Sequence, residues 1–566
     1  MTNKFYIAIC MMTTIFAWSC NDNFLQTPST DLTEDVIWGD PAIAETYILN
    51  LYTSIKLADK EPSKGEGSQG LTRGHHWAMF SSIADETVYS NDDQTYLVQT
   101  GQLSPGNFGF TSSAWGRNYV GIRECNDALT RIPNLDLSDQ KIKELMAEVR
   151  FIRAVRYFEL LRSFGGAVLI GDRITTLDDD FSDLYNRSTI NETVDYIISE
   201  LEAAATDLPD RTVQQTGRAT SEAALGYISR TLLYAASPLY TQTGAQANDG
   251  LNGGSTRTWQ EAADAAKAVM NLGFTLVDDL SDDPSENYRL LFISDPDTRE
   301  DIFYRDYNSV STTFSGMEIM NTPKSRGGWA GNGPMQNFVD DFEMQDTGLP
   351  ITDAGSGYDP NNPYEGRDPR FYGSVIYHGL EYRGAPLDIN VDAGPNQNQS
   401  RTGYFLRKFV DESVTDWWTQ GRQSPWRYMR YAEILLNYAE AQNEAFGPDA
   451  SVYNAVNTVR ARANMPNLPN GLTQDSMRER IRNERRVELS FEEHRYYDVR
   501  RWLIANDIEN RPARKVTYDE ATGTYDMTKQ ADNMGAKSFS VEHYWFPIPQ
   551  DEITISKGAL QQNYMY

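Results

Sequence analysis

The stretch ERRVELSFEEHRYYDVRRW, from Glu484 to Trp502, constrains the fold of this chain more than any other. Between Glu484 and Arg501, the five acids Glu484, Glu488, Glu492, Glu493 and Asp498 face the five bases Arg485, Arg486, Arg495, Arg500 and Arg501. Phe491, Tyr496, Tyr497 and Trp502 are spread among them. Met477, Ile481, Val487 and Phe491 recur at roughly helical spacing, so the segment is expected to be one helix. An exposed ion pair contributes only about 0–1 kcal/mol. Charges this dense among aromatics are therefore expected to form a semi-buried Arg/Glu network that locks the helix against its neighbours.

Such a network needs a large body around it, and 566 residues suffice. From Ser138 the apolar residues Ile142, Leu145, Met146, Val149, Ile152, Phe158 and Leu161 form one helical stripe, with Ser138 as cap and Gly165 as stop. A second helix, about Glu192–Ala205, carries Val194, Ile197, Ile198 and Leu201. Residues 219–238 pair with 258–272, and 428–446 with 450–464, with Trp426 opening the last block as a core residue. Alanines on facing helices permit the close approach of stacked repeats, although the spacing is far from a clean 34-residue period. The expected fold is mainly α, a scaffold of degenerate tetratricopeptide-like helix pairs over about 45–56, 118–274 and 426–502, with its first helix near Glu45–Lys56. Residues 57–117 and 275–425 change character, with Gly, Asn, Asp and Pro around short apolar runs. They are expected to be loop-rich excursions inserted into the helical body, with a smaller one at 503–544.

The 80 acids against 51 bases give a net charge of −29. That balance argues against nucleic acid or an anionic lipid surface as the direct partner. Residues 1–19 have the form of an export signal: Lys4, an apolar run from Phe5 to Ile15, then Ala17-Trp18-Ser19 ahead of Cys20. The run is too short to span a bilayer. Ala17 and Ser19 are similar to the small residues before a lipoprotein cleavage site. Trp18 is bulkier than usual there, and an ordinary secretory cleavage is the alternative. On the first reading Cys20 becomes the acylated N-terminus and residues 20–44 a lipidated tether. Cys125 is then the last cysteine, no intramolecular disulfide can form, and the core alone must hold the fold.

Signatures of catalysis are absent from the sequence: it has no H-E-x-x-H, no G-x-S-x-G and no P-loop. Gly65-Glu66-Gly67-Ser68-Gln69-Gly70 matches a dinucleotide fingerprint but lacks the flanking strand and helix. With five His in all, and His75 and His76 adjacent, neither a zinc site nor a His-activated nucleophile is supported, and no cofactor is expected. Asp353, Asp359, Asn361, Glu365 and Asp368 fit no EF-hand spacing and are assigned to a solvated turn rather than a metal site. The exposed aromatics of the excursions are the better signal. A sugar ring has an apolar C–H face and a fringe of hydroxyls, so its binder needs aromatic platforms with amide, carboxylate or guanidinium edges. The first excursion offers Arg73, Trp77, Asp85, Tyr89, Asn91 and Trp115. The second offers Tyr307, with Trp329 and Asn332 in the glycine-rich frame RGGWAGNG. The competing reading is that each Trp fills local core.

Glu484–Trp502 also resembles the signature helix of the SusD/RagB family, surface lipoproteins that Bacteroidetes use to capture nutrients. AEVRFIRAVRYFELLRSFGG (147–166), RYAEILLNYAEAQNE (430–444), AVNTVRARANMP (455–466), FPIPQDEI (546–553) and QQNYMY (561–566) agree with that family in kind and order. The resemblance implies a non-enzymatic, lipid-anchored protein facing outward from the outer membrane. It would bind oligosaccharide or polysaccharide and deliver it to a SusC-like TonB-dependent transporter. A peptide- or glycoprotein-capturing, RagB-like member is the alternative, and a glycoside hydrolase is the third reading. No ligand-binding motif of the family carries over residue by residue.

Overall fold

A computed structural model describes residues 34–52, 79–91, 94–175, 184–306, 316–418 and 424–566. Helices α1 (Pro41–Asn50), α2 (Gly109–Arg131), α3 (Asp139–Phe164), α4 (Ile190–Asp207), α5 (Ser221–Ala236) and α6 (Trp259–Met270) build the first part of the body. Their starts follow from local chemistry. The Asp40 side chain accepts from the Ala42 N–H ahead of α1, and Ser138 accepts from Lys141 ahead of α3. Thr189 with Glu192, and Thr258 with Glu261, satisfy each other's N–H groups reciprocally. Each such cap is worth about 0.5–2 kcal/mol. At the far end of α3 the chain turns sharply through Gly165, at φ +86°, and Gly166, whose N–H donates to the Leu251 carbonyl at 2.5 Å. A Cβ on Gly166 would stand 2.0 Å from the Ser188 carbonyl oxygen, so the corner requires glycine.

From α2 to α6 each helix packs on the next, and Ala262, Ala263 and Ala266 of α6 are buried in that stacking. Residues 271–430 then leave the stack. They carry the short helices α7 (Pro284–Leu291) and α8 (Pro369–Ser374) before α9 (Tyr431–Phe446) returns to pack on α6. Helices α10 (Ala450–Arg462), α11 (Gln474–Glu488) and α12 (Arg495–Arg501) follow. The fold is mainly α, as expected. Its strands form short antiparallel pairs: β1 (Thr87–Tyr89) with β3 (Asn332–Pro334), β2 (Asp301–Arg305) with β6 (Trp426–Arg430), β4 (Val375–Ile376) with β5 (Phe405–Leu406), and β7 (Thr517–Asp519) with β8 (Thr524–Asp526).

Several elements differ from the sequence expectation. Glu484–Trp502 is not one helix: α11 ends at Glu488, and the chain turns through residues 489–494, with Phe491 at φ +62° and Glu493 at φ +70°, before α12 begins. The break frees the Phe491 N–H, which a helix would bind internally, to donate to Glu86 Oε1 at 3.1 Å. Trp426 opens strand β6 and not a helix, though it is buried as expected. Helix α1 begins at Pro41, where proline suits the first turn, instead of near Glu45. Helix α2 starts at Gly109, inside the expected first excursion, because Phe110, Ala114 and Trp115 already sit on its buried face.

The expected ion-pair network is present, and it is fully buried. Glu488 of α11 receives Arg430 of β6 at 2.5 Å, Arg370 of α8 at 3.0 Å, and Arg462 of α10. Glu484 receives Arg370 at 2.5 Å and Arg460 at 2.9 Å. Glu492 holds Arg430 at 2.7 Å and Lys408 at 2.8 Å, and Glu300 binds Arg430 and Arg462, each at 3.1 Å. Burial alone would raise the Glu488 carboxyl, but Arg462, Arg430 and Arg370 hold it well below the usual carboxylate range. Burial pushes Lys408 down to about 8 against the opposing pull of Glu492. Removing one member of a buried pair strands its partners, at about 3–5 kcal/mol. Glu488→Gln is therefore expected to lower unfolding stability by about that amount in urea titrations; a loss below about 1 kcal/mol would mean the network does not hold the fold together.

Candidate functional site

The two aromatic excursions meet in one place because β1 and β3, more than 200 residues apart in sequence, pair in the register Tyr89↔Asn332 and Thr87↔Pro334. Beyond the last pair the contact continues: the Ser90 N–H donates to the Gly331 carbonyl at 2.7 Å, and Ser90 Oγ donates to the Trp329 carbonyl at 3.3 Å. Trp329 is half-buried against the core beside this junction. The Asn91 side-chain Oδ1 accepts from the Asn398 N–H at 3.2 Å, which brings a third loop to the same edge.

A cavity of about 210 Å³ opens here, lined by Tyr89, Asn91, Tyr96, Gln102, Arg401 and Asn533, among others. Tyr96 is 50% exposed, so its ring is presented to solvent while the amides and the guanidinium stand around it. This is the mixture of flat apolar ring and hydrogen-bonding rim that a sugar requires. Trp418 is a further presented ring, 61% exposed, next in the chain to Trp417, whose ring packs over Gly327 two residues before Trp329. From the sequence Tyr96 is only one of several loop aromatics and Trp418 a weaker candidate beside Trp417, because nothing in their local patterning distinguishes a presented ring from a buried one.

The structure divides the expected site residues. Asn91 and Trp329 lie partly exposed at the junction. Tyr89 lines the cavity but is only 3% exposed, with its ring turned towards Gly331. Asn332 is 1% exposed and acts as an internal strut: its carbonyl accepts from the Met79 N–H at 3.0 Å and Ser82 Oγ at 2.9 Å, and its amide donates to Asn321 at 3.0 Å. Trp115 is buried in α2, with its ring 5.3 Å from Phe164, and lines a separate, apolar groove. Asp85 binds Arg495 at 2.7 Å and also Arg486, in the wall of a larger cavity. Burial would raise the Asp85 carboxyl, yet these two guanidiniums hold it well below the usual range. Arg73, Trp77, Tyr307 and Cys20 lie outside the described residues.

Beside Asp85, Glu86 is 1% exposed, and burial pushes its carboxyl up to about 7. A carboxyl raised in the folded state, against 4.5 when unfolded, contributes stability that is complete below pH 4.5 and is lost as pH rises through 7. The loss is about 3 kcal/mol. The difference in unfolding free energy between Glu86→Gln and the parent chain should therefore grow in favour of the variant from pH 4.5 to pH 7.5, and parallel profiles would refute the shift.

Comparison with known proteins adds an independent line. A family model described as the SusD family matches residues 299–566, and one described as starch-binding, associating with outer membrane, matches residues 49–233. A SusD-like protein of Formosa agariphila is 26% identical over 428 residues, covering 71% of this chain and 73% of its own. Among solved structures, a SusD-like protein of Bacteroides fragilis superposes with a TM-score of 0.76 at 29% identity, over 94% of this chain and 99% of its own. Another from Bacteroides fragilis, described as a SusD-like carbohydrate binding protein, gives a TM-score of 0.74 at 25% identity, over 92% and 99%.

Proposed function

The chain belongs to the SusD/RagB family, and from that premise we propose that it is a surface lipoprotein that captures oligo- or polysaccharide and delivers it to a SusC-like TonB-dependent transporter in the outer membrane. The observation that supports the binding half of this reading is the β1–β3 junction, where Asn91 and Tyr96 line one cavity and the Trp329 backbone is hydrogen-bonded to Ser90 from a distant segment. The solved relative described as carbohydrate binding supports the same ligand class.

The site fits a binder better than a hydrolase. Asp85 lines the larger cavity and not this edge, and two guanidiniums keep it ionised, so it has no proton to give a leaving group. Stacking and hydrogen bonds to a few rings are individually weak, and association costs several kcal/mol, so the affinity is expected to be micromolar or weaker, with long chains favoured over monosaccharides. Isothermal titration against a panel of neutral polysaccharides should find at least one such ligand. Trp329→Ala and Tyr96→Ala should each weaken it about ten-fold, equivalent to about 1.4 kcal/mol. Flat traces for every polysaccharide would defeat the reading.

Membrane attachment rests on the family description and on Cys20. Among the described residues no helix is long and apolar enough to cross a membrane. An acyl chain on Cys20 would supply the anchor, with a second contact needed for stable attachment. Cys20→Ser should shift the protein from the membrane to the soluble fraction, and mild detergent should recover the parent chain together with a large β-barrel transporter. Recovery of the parent chain alone would remove the delivery step.

A further inference from the structure

A second cavity, of about 730 Å³, lies between residues 335–341, α11 and residues 504–537. Its volume falls in the range of about 300–1,000 Å³ typical of small-molecule sites. Its lining reverses the charge balance of the chain: six bases against four acids, where the whole sequence has 51 against 80. Three of the four acids are engaged by other bases, and the fourth, Glu479, is exposed and pairs with Arg482 at 3.3 Å. Asp85 is held by Arg495 and Arg486, Asp341 by Arg486 at 2.5 Å, and Asp340 by Arg514. Lys537 is neutralised from behind by Glu509 at 2.8 Å.

Two guanidiniums keep unused capacity. Arg511 is exposed at the rim; its Nε donates to the Asp507 carbonyl at 3.0 Å, and it makes no ion pair among the described residues. Arg482 lies deeper, stacked 4.8 Å from the Trp502 ring, with one 3.3 Å contact to the exposed Glu479. Its Nε is buried and donates to no protein acceptor. Burial lowers its pKa, so the surrounding carboxylates do not compensate for its desolvation. A planar guanidinium with free donors pairs best with a carboxylate or a sulfate, and Asn483, Gln530 and Thr528 in the same wall add the uncharged groups that bind hydroxyls.

We propose that this cavity is a second saccharide site, separate from the aromatic edge, in which Arg482 and Arg511 hold the carboxylate or sulfate of an anionic oligosaccharide. The proposal rests on the reading of the chain as a glycan binder, and it narrows the substrate class to acidic glycans.

The test titrates the full chain with oligosaccharide pools from polygalacturonate, alginate and carrageenan, each beside its esterified or desulfated form. At least one acidic pool should bind ten-fold or more tighter than its neutralised partner, and the difference should shrink as salt rises from 50 to 500 mM through screening, by about the Debye-length argument. The uronate pools and the carrageenan pool distinguish carboxylate from sulfate as the group held. Arg511→Gln, at an exposed position, should abolish that preference while leaving the melting temperature and neutral-glycan binding unchanged, and Arg482→Gln should abolish it while leaving neutral-glycan binding unchanged; Trp329→Ala should leave the preference intact. Equal binding of acidic and neutralised forms by the parent chain, or an undiminished preference in both Arg variants, overturns the proposal, even where neutral glycans still bind at the aromatic edge. A preference that survives in a chain with no neutral-glycan binding upholds the cavity and refutes the edge.

Discussion

The buried carboxylates of α11 and the turn after it are the interaction on which the rest of this structure depends. Glu488 alone receives guanidiniums from α8, β6 and α10, and Glu492 in the turn binds Arg430 and Lys408. Arg370 and Lys408 belong to the long excursion that leaves the helical stack, and Arg462 to the stack's last helices. One cluster therefore ties both together. Buried ion pairs are poor contributors to net stability, since desolvation offsets most of the attraction. Their effect is on geometry: with partners on several elements, each charge is satisfied in only one arrangement of those elements. Cys125 is buried within α2 and is the only cysteine among the described residues, so within them the cluster fixes the excursion where a cross-link otherwise would.

Placement of the excursion matters because the presented rings depend on it. Trp329 reaches the edge through the β1–β3 pairing, which joins a segment ahead of α2 to one inside the excursion. Gly327 and Gly331 allow the close approach: an added Cβ would meet the Trp417 ring at 3.1 Å or the Met320 carbonyl at 2.8 Å. The rings are thus displayed by a rigid junction and not by a floppy turn, so less conformational entropy is lost when a ligand binds.

What the sequence disclosed follows from the range of the interactions involved. The bounds of α3, with Ser138 and Gly165, depend on residues within a turn of one another, and they were legible; the capping boxes of α4 and α6 are as local but were not read. The break after Glu488 was not, because Phe491 and Glu493 take left-handed backbone without being Gly or Asn; distant partners, among them Glu86 on the Phe491 N–H, Arg430 on Glu492 and Lys408 on the Ser490 carbonyl, favour that conformation. The same limit governs the site. Composition marked the two excursions, but whether Asn332 or Asn91, Trp115 or Trp329 faces outward is decided by strand register and helix phase set far away in sequence.

The distribution of charge carries the last step. A net charge of −29 repels acidic polymers at long range, yet screening confines that repulsion to about 10 Å at ordinary ionic strength. Inside a lined cavity the local groups dominate, and Arg482 and Arg511 stand in a lining whose acids, the exposed Glu479 apart, are bound to other bases. An acidic surface with a basic recess would reject non-specific polyanions while admitting a short segment that fits, which is selectivity by combined repulsion and complementarity. The aromatic edge, where Arg401 is the only charged side chain among the described residues of its lining, would contact the neutral faces of the same polymer. Two weak contacts on one rigid body, each reading a different property of a sugar chain, can hold a long ligand by avidity and still release it when either contact is lost.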